Sequence, residues 1–313
     1  MMTIRHCSRS GKEEKMRTQS VSNKKKPVSD IVLDVFTVIF LALVVIICVY
    51  PFWNIFIVSI NDATDAIRGG LYFLPRKLSF ASYADILSRS TFMHSILVTL
   101  ARTAIGTPLA VLVTTALAYV LSRKDLLFKK PITLLFIFTM YFGGGLVPYY
   151  MVLKNLGMLD SFIVFIFPNL VSVYNMILVR NYIEGMPEAL FEAAKIDGAN
   201  DLVVFFKLVI PLSKPIIMTI ALFVAIMHWN SWFDAYLYTN SQNLKTMQSI
   251  LVEILNQYQT TGANQAANRT GQGITPDSIR MAATMVATIP IIMVYPFIQK
   301  YFVKGIMLGS VKS

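Results

Sequence analysis

Six long apolar runs alternate with polar stretches along this chain, at about 32–60, 96–121, 131–150, 162–179, 215–238 and 282–298. A helix needs about 20 mostly apolar residues to cross the hydrocarbon core of a bilayer. A soluble core absorbs one or two such runs, but not six separated by polar loops. The pattern predicts an all-α polytopic membrane protein with six transmembrane helices.

Breaks in the pattern are as informative as the runs. Run one carries Pro51, which can kink a helix, followed by Phe52 and Trp53, which suit an interface or a packed bundle. Run three ends in "YFGGGLVPYY", where Gly143, Gly144, Gly145 and Pro148 are poor for a continuous helix. Two readings fit this stretch: non-helical backbone at membrane depth, lined by protein or a watery cavity, or a loop that starts at the interface. Between runs four and five lies a water-compatible insert, "PEALFEAAKIDGANDLVVFFKLVIPLSKP". Pro187 suits a first helical position and Glu188 the positive end of the helix dipole. Ala189, Ala193 and Ile196 fall on one face, with Glu192 beside them. Gly198 is placed to end this helix, Asn200 or Asp201 to cap a second, and Pro211 to stop it. An amphipathic loop lying on the inner leaflet also explains the apolar face, but not the two-helix punctuation.

Composition agrees with the pattern. Apolar residues make up 55% and charged residues 14%, against about 25% charged in soluble domains. The net charge of +11 is explained by topology. With the N-terminus inside, the segments 1–30, 122–130, 180–214 and 299–313 hold nineteen Lys and Arg. The outer segments 61–95, 151–161 and 239–281, of equal summed length, hold eight. Both termini and the insert are therefore expected in the cytoplasm. The basic 1–30 tail lacks an apolar h-region and reads as a topology anchor with affinity for anionic lipid, not as a signal peptide or a nucleic-acid arm. The expected division is a tail 1–30, a membrane domain 31–305 containing the loop 184–211, and a tail 306–313.

Catalytic chemistry is hard to place. His6, His94 and His228 lack metal-ligand spacing, Cys7 and Cys48 make no disulfide framework, and no Ser/His/Asp constellation is present. His94 suits an interfacial or packed role, and Arg102, near the outer end of run two, can snorkel. No GxxxxGK[ST] occurs, so this chain binds no nucleotide of its own and any energy must come from another polypeptide. Run five offers what a polar solute needs. As one continuous helix, it places Trp229, Trp232 and Tyr236 on one face and Asn230 and Asp234 on the adjacent one. Asp234 at membrane depth is either a site residue or a contact with a neighbouring span or partner. The outer stretch 239–281 is polar, nearly uncharged and reads as mobile loop.

The order Glu192-Ala193-Ala194, three residues, Gly198, nine residues, then Leu208-x-Ile210-Pro211 resembles the EAA loop of ABC-importer permeases. The usual closing form is Ile-x-Leu-Pro, so Leu208 and Ile210 are conservative departures. "WNSWFDA" (229–235) and the C-terminal "KGIMLGSVKS" are similar to the carbohydrate-uptake, maltose-permease branch of that family. The resemblance implies a type I importer permease fold in a prokaryotic cell membrane. It implies that Glu192, Ala193, Ala194, Asp197, Gly198 and Pro211 belong to a helix seated in a groove of a cytoplasmic ATPase. It also implies a second homologous permease, two ATPase subunits that use ATP, and an extracytoplasmic sugar-binding protein, which the 239–281 loop would probe. Oligosaccharides, some uronate-containing, are the implied cargo. A self-contained secondary transporter is the alternative. That class often shows internal repeats and several intramembrane carboxylates, whereas no repeat is apparent and Asp34 and Asp234 are the only acids in or at the edges of the runs.

Overall fold

A computed structural model describes residues 28–260 and 275–310. Among them the chain is helical, with a single antiparallel bridge between Asn61 and Leu78. Three unbroken helices are long and apolar enough to cross a membrane, and three bent pairs bring the number to six if each counts as one span; the third pair, 201–212 with 214–230, takes in part of the polar insert as well as the fifth run.

The chain divides into two units between Trp53 and Asn54. The first is most of α1 (Val28–Ser59), a helix whose apolar side chains, Ile31, Leu33, Phe36 and Ile39 among them, are exposed all round, as suits a lipid-facing span. Its start at Val28 puts the expected 30/31 boundary inside the helix.

The second unit begins with a short excursion carrying α2 (Ala63–Ala66) and α3 (Ala81–Ser88). Next come α4 (Ser90–Ser122), α5 (Lys129–Tyr141), α6 (Leu146–Asn155), α7 (Ile163–Asn169) and α8 (Val173–Glu184). Span two, α4, is the centre of the bundle. Its buried stripe runs Gly106, Ala110, Thr114, Ala118, at every fourth residue. In lipid there is no hydrophobic gain when two helices meet, so close packing must supply the attraction, and small residues allow it. α8 and α11 (Lys214–Asn230) both pack on α4. The core at the 184–212 end is formed by Ala118, Met176, Val179, Phe205 and Ile220.

Span three bends sharply at the Gly143–Gly145 stretch. α5 has 13 residues, which at 1.5 Å each is about 20 Å, short of the roughly 30 Å hydrocarbon core. Gly145 then adopts φ +88°, and α6 leaves at 114° to α5. Span four bends by 45° between α7 and α8, and the carbonyl of Leu170, freed there, accepts the Thr114 hydroxyl (3.2 Å).

The 239–281 stretch is not wholly loop. α13 (Met247–Thr260) forms there, and residues 261–274 lie outside the described part. Its apolar positions Met247, Ile250, Leu251 and Ile254 recur at helical spacing and pack with Trp229, Ile279 and Ala283. The last helix, α14 (Pro276–Ser310), starts earlier than the run and passes through the expected 305/306 boundary.

Candidate functional site: an exposed helical loop and a broken fifth span

The 184–212 loop folds as the sequence punctuation requires. α9 (Glu188–Ile196) follows Pro187, with Glu188 in its first turn. At its end the amide of Gly198 donates to the carbonyl of Lys195 and that of Ala199 to Ala194, both at 3.0 Å. This pair of bonds is a Schellman closure, and it needs the left-handed φ of +75° that Gly198 adopts. A Cβ at Gly198 would meet nothing within 4 Å. Glycine is therefore required for its backbone and not for room. Ala194 and Ala199 pack against the core beneath the turn. Glu192, Ala193, Asp197 and Gly198 are exposed, and Ile196 is 86% exposed.

α10 (Asp201–Leu212) begins at Asn200, whose side chain accepts the amide of Val203 (2.8 Å). Pro211 does not stop it. A π-turn over Phe205–Val209 widens the backbone ahead of the proline, which then occupies the first turn of the closing segment Ile210–Leu212, where its missing N–H is no loss. The chain turns by 82° at Ser213, into α11.

Span five is not one helix. α11 ends at Asn230, and α12 (Phe233–Tyr238) starts after Ser231 and Trp232. This break overturns the continuous aromatic face. Trp229 is buried, with its indole N–H donated to the carbonyl of Ala287 (3.1 Å), so it anchors α11 to α14. Trp232 and Tyr236 stay together beyond the break, ring centroids 6.0 Å apart, and are exposed. Asn230 is exposed at the end of α11, and Gln248 donates to its Oδ1 at 3.5 Å.

Asp234 is engaged within the protein. Arg102 of α4 reaches it with both terminal nitrogens, Nη1–Oδ1 at 3.2 Å and Nη2–Oδ2 at 2.5 Å. The Ser231 hydroxyl (2.8 Å) and the Ala235 amide (2.9 Å) also donate to Oδ1. The Arg102 side chain is fully buried, with its guanidinium 4.6 Å from the centroid of the Phe165 ring. Spans two, four and five thus meet on one neutralised charge pair, the form in which ionised groups are tolerated at membrane depth. In the last turn of α11, His228 is fully buried with no protein partner for either ring nitrogen among the described residues. It lies against Gly106, where an added Cβ would come within 2.6 Å of Nε2.

The half-helices beyond the breaks in spans three and five touch through tyrosines that sequence reasoning passed over. Tyr149 and Tyr150 of α6 lie 6.1 and 6.2 Å from Tyr238 of α12. The available signal was the "PYY" after the glycines. For Arg102 it was a lone cation in one span facing a lone acid in another.

Helical spans broken around buried polar groups, with a punctuated helical loop projecting from one end, are the build of a transport permease. The chain belongs to the family described as the binding-protein-dependent transport system inner membrane component, whose model matches residues 20–308. It is 40% identical over 276 residues to the polygalacturonan/rhamnogalacturonan transport system permease protein YtcP of Bacillus subtilis (strain 168), covering 88% of this chain and 96% of that one. It is 35% identical to the protein LplC of the same organism, over 90% and 95% of the two chains. Among solved structures, it superposes with a TM-score of 0.83 on a chain of a bacterial ABC transporter involved in the import of the acidic polysaccharide alginate. That match is at 28% identity, over 90% of this chain and all of the other. The protein is an inner-membrane permease component of a binding-protein-dependent ABC importer.

Proposed function

We propose that this chain is one of two homologous permeases lining the path of an oligosaccharide importer, and that its cargo contains uronate units. The relatives named for polygalacturonan and alginate support the substrate class. Two cytoplasmic ATPase subunits supply the energy by using ATP, and an extracytoplasmic sugar-binding protein delivers the cargo. The chain itself carries no catalysis. The 184–211 loop and both termini lie in the cytoplasm, as the Lys and Arg distribution favours.

The observation that carries this reading is the 188–212 loop. It closes on Gly198 so that Ala189, Ala193 and Ile196, with Glu192 beside them, project from the bundle as an exposed apolar patch on a short helix. Such a face fits a groove on a soluble partner. On the path side, exposed Trp232 and Tyr236 offer rings for stacking on sugar C–H faces, and Asn230 offers an amide for hydroxyls. Asp234, held by Arg102, shapes that surface without presenting a free charge.

Purification of the assembled complex and a screen for stimulated ATP hydrolysis test the reading. Oligogalacturonides or oligomannuronates, presented with the binding protein, should stimulate hydrolysis more than neutral oligosaccharides of equal length. Stimulation by neutral sugars alone would reject the uronate assignment. Transport with no ATPase in the complex would reject the importer itself.

A further inference from the structure

α9 is weakly seated for a helix that must transmit force. None of its residues is fully buried, and only Phe191 and Ala194 pack partly on the core. Beside it opens a cavity of about 550 Å³ lined by Ser122, Lys124, Met186, Phe191 and Lys195, among others. Helix packing alone leaves α9 room to tilt. Ion pairs add to that packing.

The connection 123–129, six residues between α4 and α5 together with Lys129 at the start of α5, reaches the loop at three points. Lys129 Nζ pairs with Glu184 Oε1 at 2.9 Å, where the chain leaves α8. Lys124 Nζ pairs with Glu188 Oε2 at 2.5 Å, in the first turn of α9. Arg123 Nη1 pairs with Asp201 Oδ1 at 2.9 Å, in the first turn of α10. Entry, start and exit of α9 are therefore all tied to one short connection.

That connection is itself stiff. Arg123 also grips Asp125 (3.1 Å) and donates to the Tyr119 hydroxyl (3.1 Å). These contacts raise its pKa, the Asp125 hydrogen bond foremost and outweighing partial burial, and hold Asp125 below the usual carboxylate range. Lys129 also donates to the Ser122 carbonyl (3.2 Å). The left-handed Phe128, φ +59°, turns the chain into α5.

We propose that the 123–129 connection is a second coupling element, with Arg123, Lys124 and Lys129 as positioning residues that tie α9 to spans two and three. The proposal rests on α9 being the ATPase-docking helix. When the ATPase groove displaces α9, the three pairs carry the displacement into α4, whose far half holds Arg102 and the break in span five. With the ties cut, α9 rocks over the cavity while the spans stay in place, and ATP is hydrolysed without import.

The test is the ratio of sugar imported to ATP hydrolysed by the complete importer in proteoliposomes. Lys124 and Glu188 are well exposed, 77% and 58%, and an exposed pair in water is weak, so each single reversal, Lys124→Glu or Glu188→Lys, should lower the ratio only about two- to five-fold. The double Lys124→Glu/Glu188→Lys should restore it. Arg123→Glu and Asp201→Arg should behave alike, with a larger loss because Arg123 is better buried. Lys130→Glu, on an exposed neighbour, should leave the ratio unchanged. Complex assembly should be normal throughout, which separates positioning from folding. Single reversals without effect, or swaps that fail to rescue, would overturn the proposal. Glu192→Lys distinguishes the two levels. If it uncouples while the swaps do nothing, only the tie is wrong; if it also does nothing, α9 is not the docking helix.

Discussion

A bidentate ion pair whose guanidinium is fully buried is stable only as a pair. Asp234→Asn leaves the buried Arg102 cation without its counter-charge, a change that costs about 3–5 kcal/mol when one partner of a buried pair is removed. Thermal unfolding of the purified complex should show a marked loss for Asp234→Asn and for Arg102→Met, and a much smaller one for the double variant. Equal and additive losses would mean the two groups are not coupled. Trp232→Ala should instead spare stability and change apparent sugar affinity, because that ring is exposed beyond the break. In the excursion after α1, Asp62 accepts the Thr64 hydroxyl, with the Asp65 amide and Lys77 behind it, and these outweigh burial to hold its pKa at about 2, down from 3.8. A depressed carboxylate stabilises the folded form above its unfolded value and ceases to as pH falls through the folded one. Order in 60–79 should therefore decline from about pH 4 to pH 2, read by hydrogen exchange, and Asp62→Asn should flatten that profile. The lone charges Arg102 and Asp234 were legible in the sequence. Their pairing was not, because 132 residues separate them and only helix packing brings them together.

Two elements turn on a single glycine each, for opposite reasons. At Gly198 the constraint is a left-handed backbone with open space around it, and a side-chain-bearing residue there costs about 1–2 kcal/mol. Gly198→Val should insert normally yet lose ATPase association in co-purification, whereas Gly198→Asn, better tolerated at positive φ, should keep most of it. Equal behaviour of the two would show that the turn does not matter. At Gly106 the constraint is room. A methyl group there collides with His228 across the α4–α11 contact, and overpacking of this kind costs about 1–3 kcal/mol. Gly106→Ala should lower the thermal stability of the complex, and His228→Ala in the same chain should restore it. The loop's helix ends were readable because capping is local chemistry: Pro187, Gly198 and Asn200 act on neighbours a few residues away. The end of α10 was misplaced because a π-turn absorbs Pro211. α13 was missed because its helical spacing sits inside an otherwise polar, loop-like composition.

For the whole molecule, the orientation has a direct test. With Cys7 and Cys48 replaced by Ser, a cysteine at Ala193 should resist membrane-impermeant maleimide in sealed cells, and one at Arg68 should react. Efficient labelling at 193 from outside would invert the topology and remove the docking of α9 on a cytoplasmic ATPase. The same chain should bring an ATPase through purification, which a self-contained transporter would not.

The sequence by itself determined six spans, their expected orientation and the punctuated loop, because apolar length, Lys and Arg placement and helix capping all act locally. Tertiary structure decided what happens inside the spans. Apolar composition cannot register that span five ends at Asn230 and resumes at Phe233, since the apolar run continues across the break. The break is held by Arg102 reaching Asp234 from another helix. For the same reason Trp229 became an anchor on Ala287 while Trp232, three residues on, stayed exposed: a helical face predicted from periodicity survives only as far as the helix does.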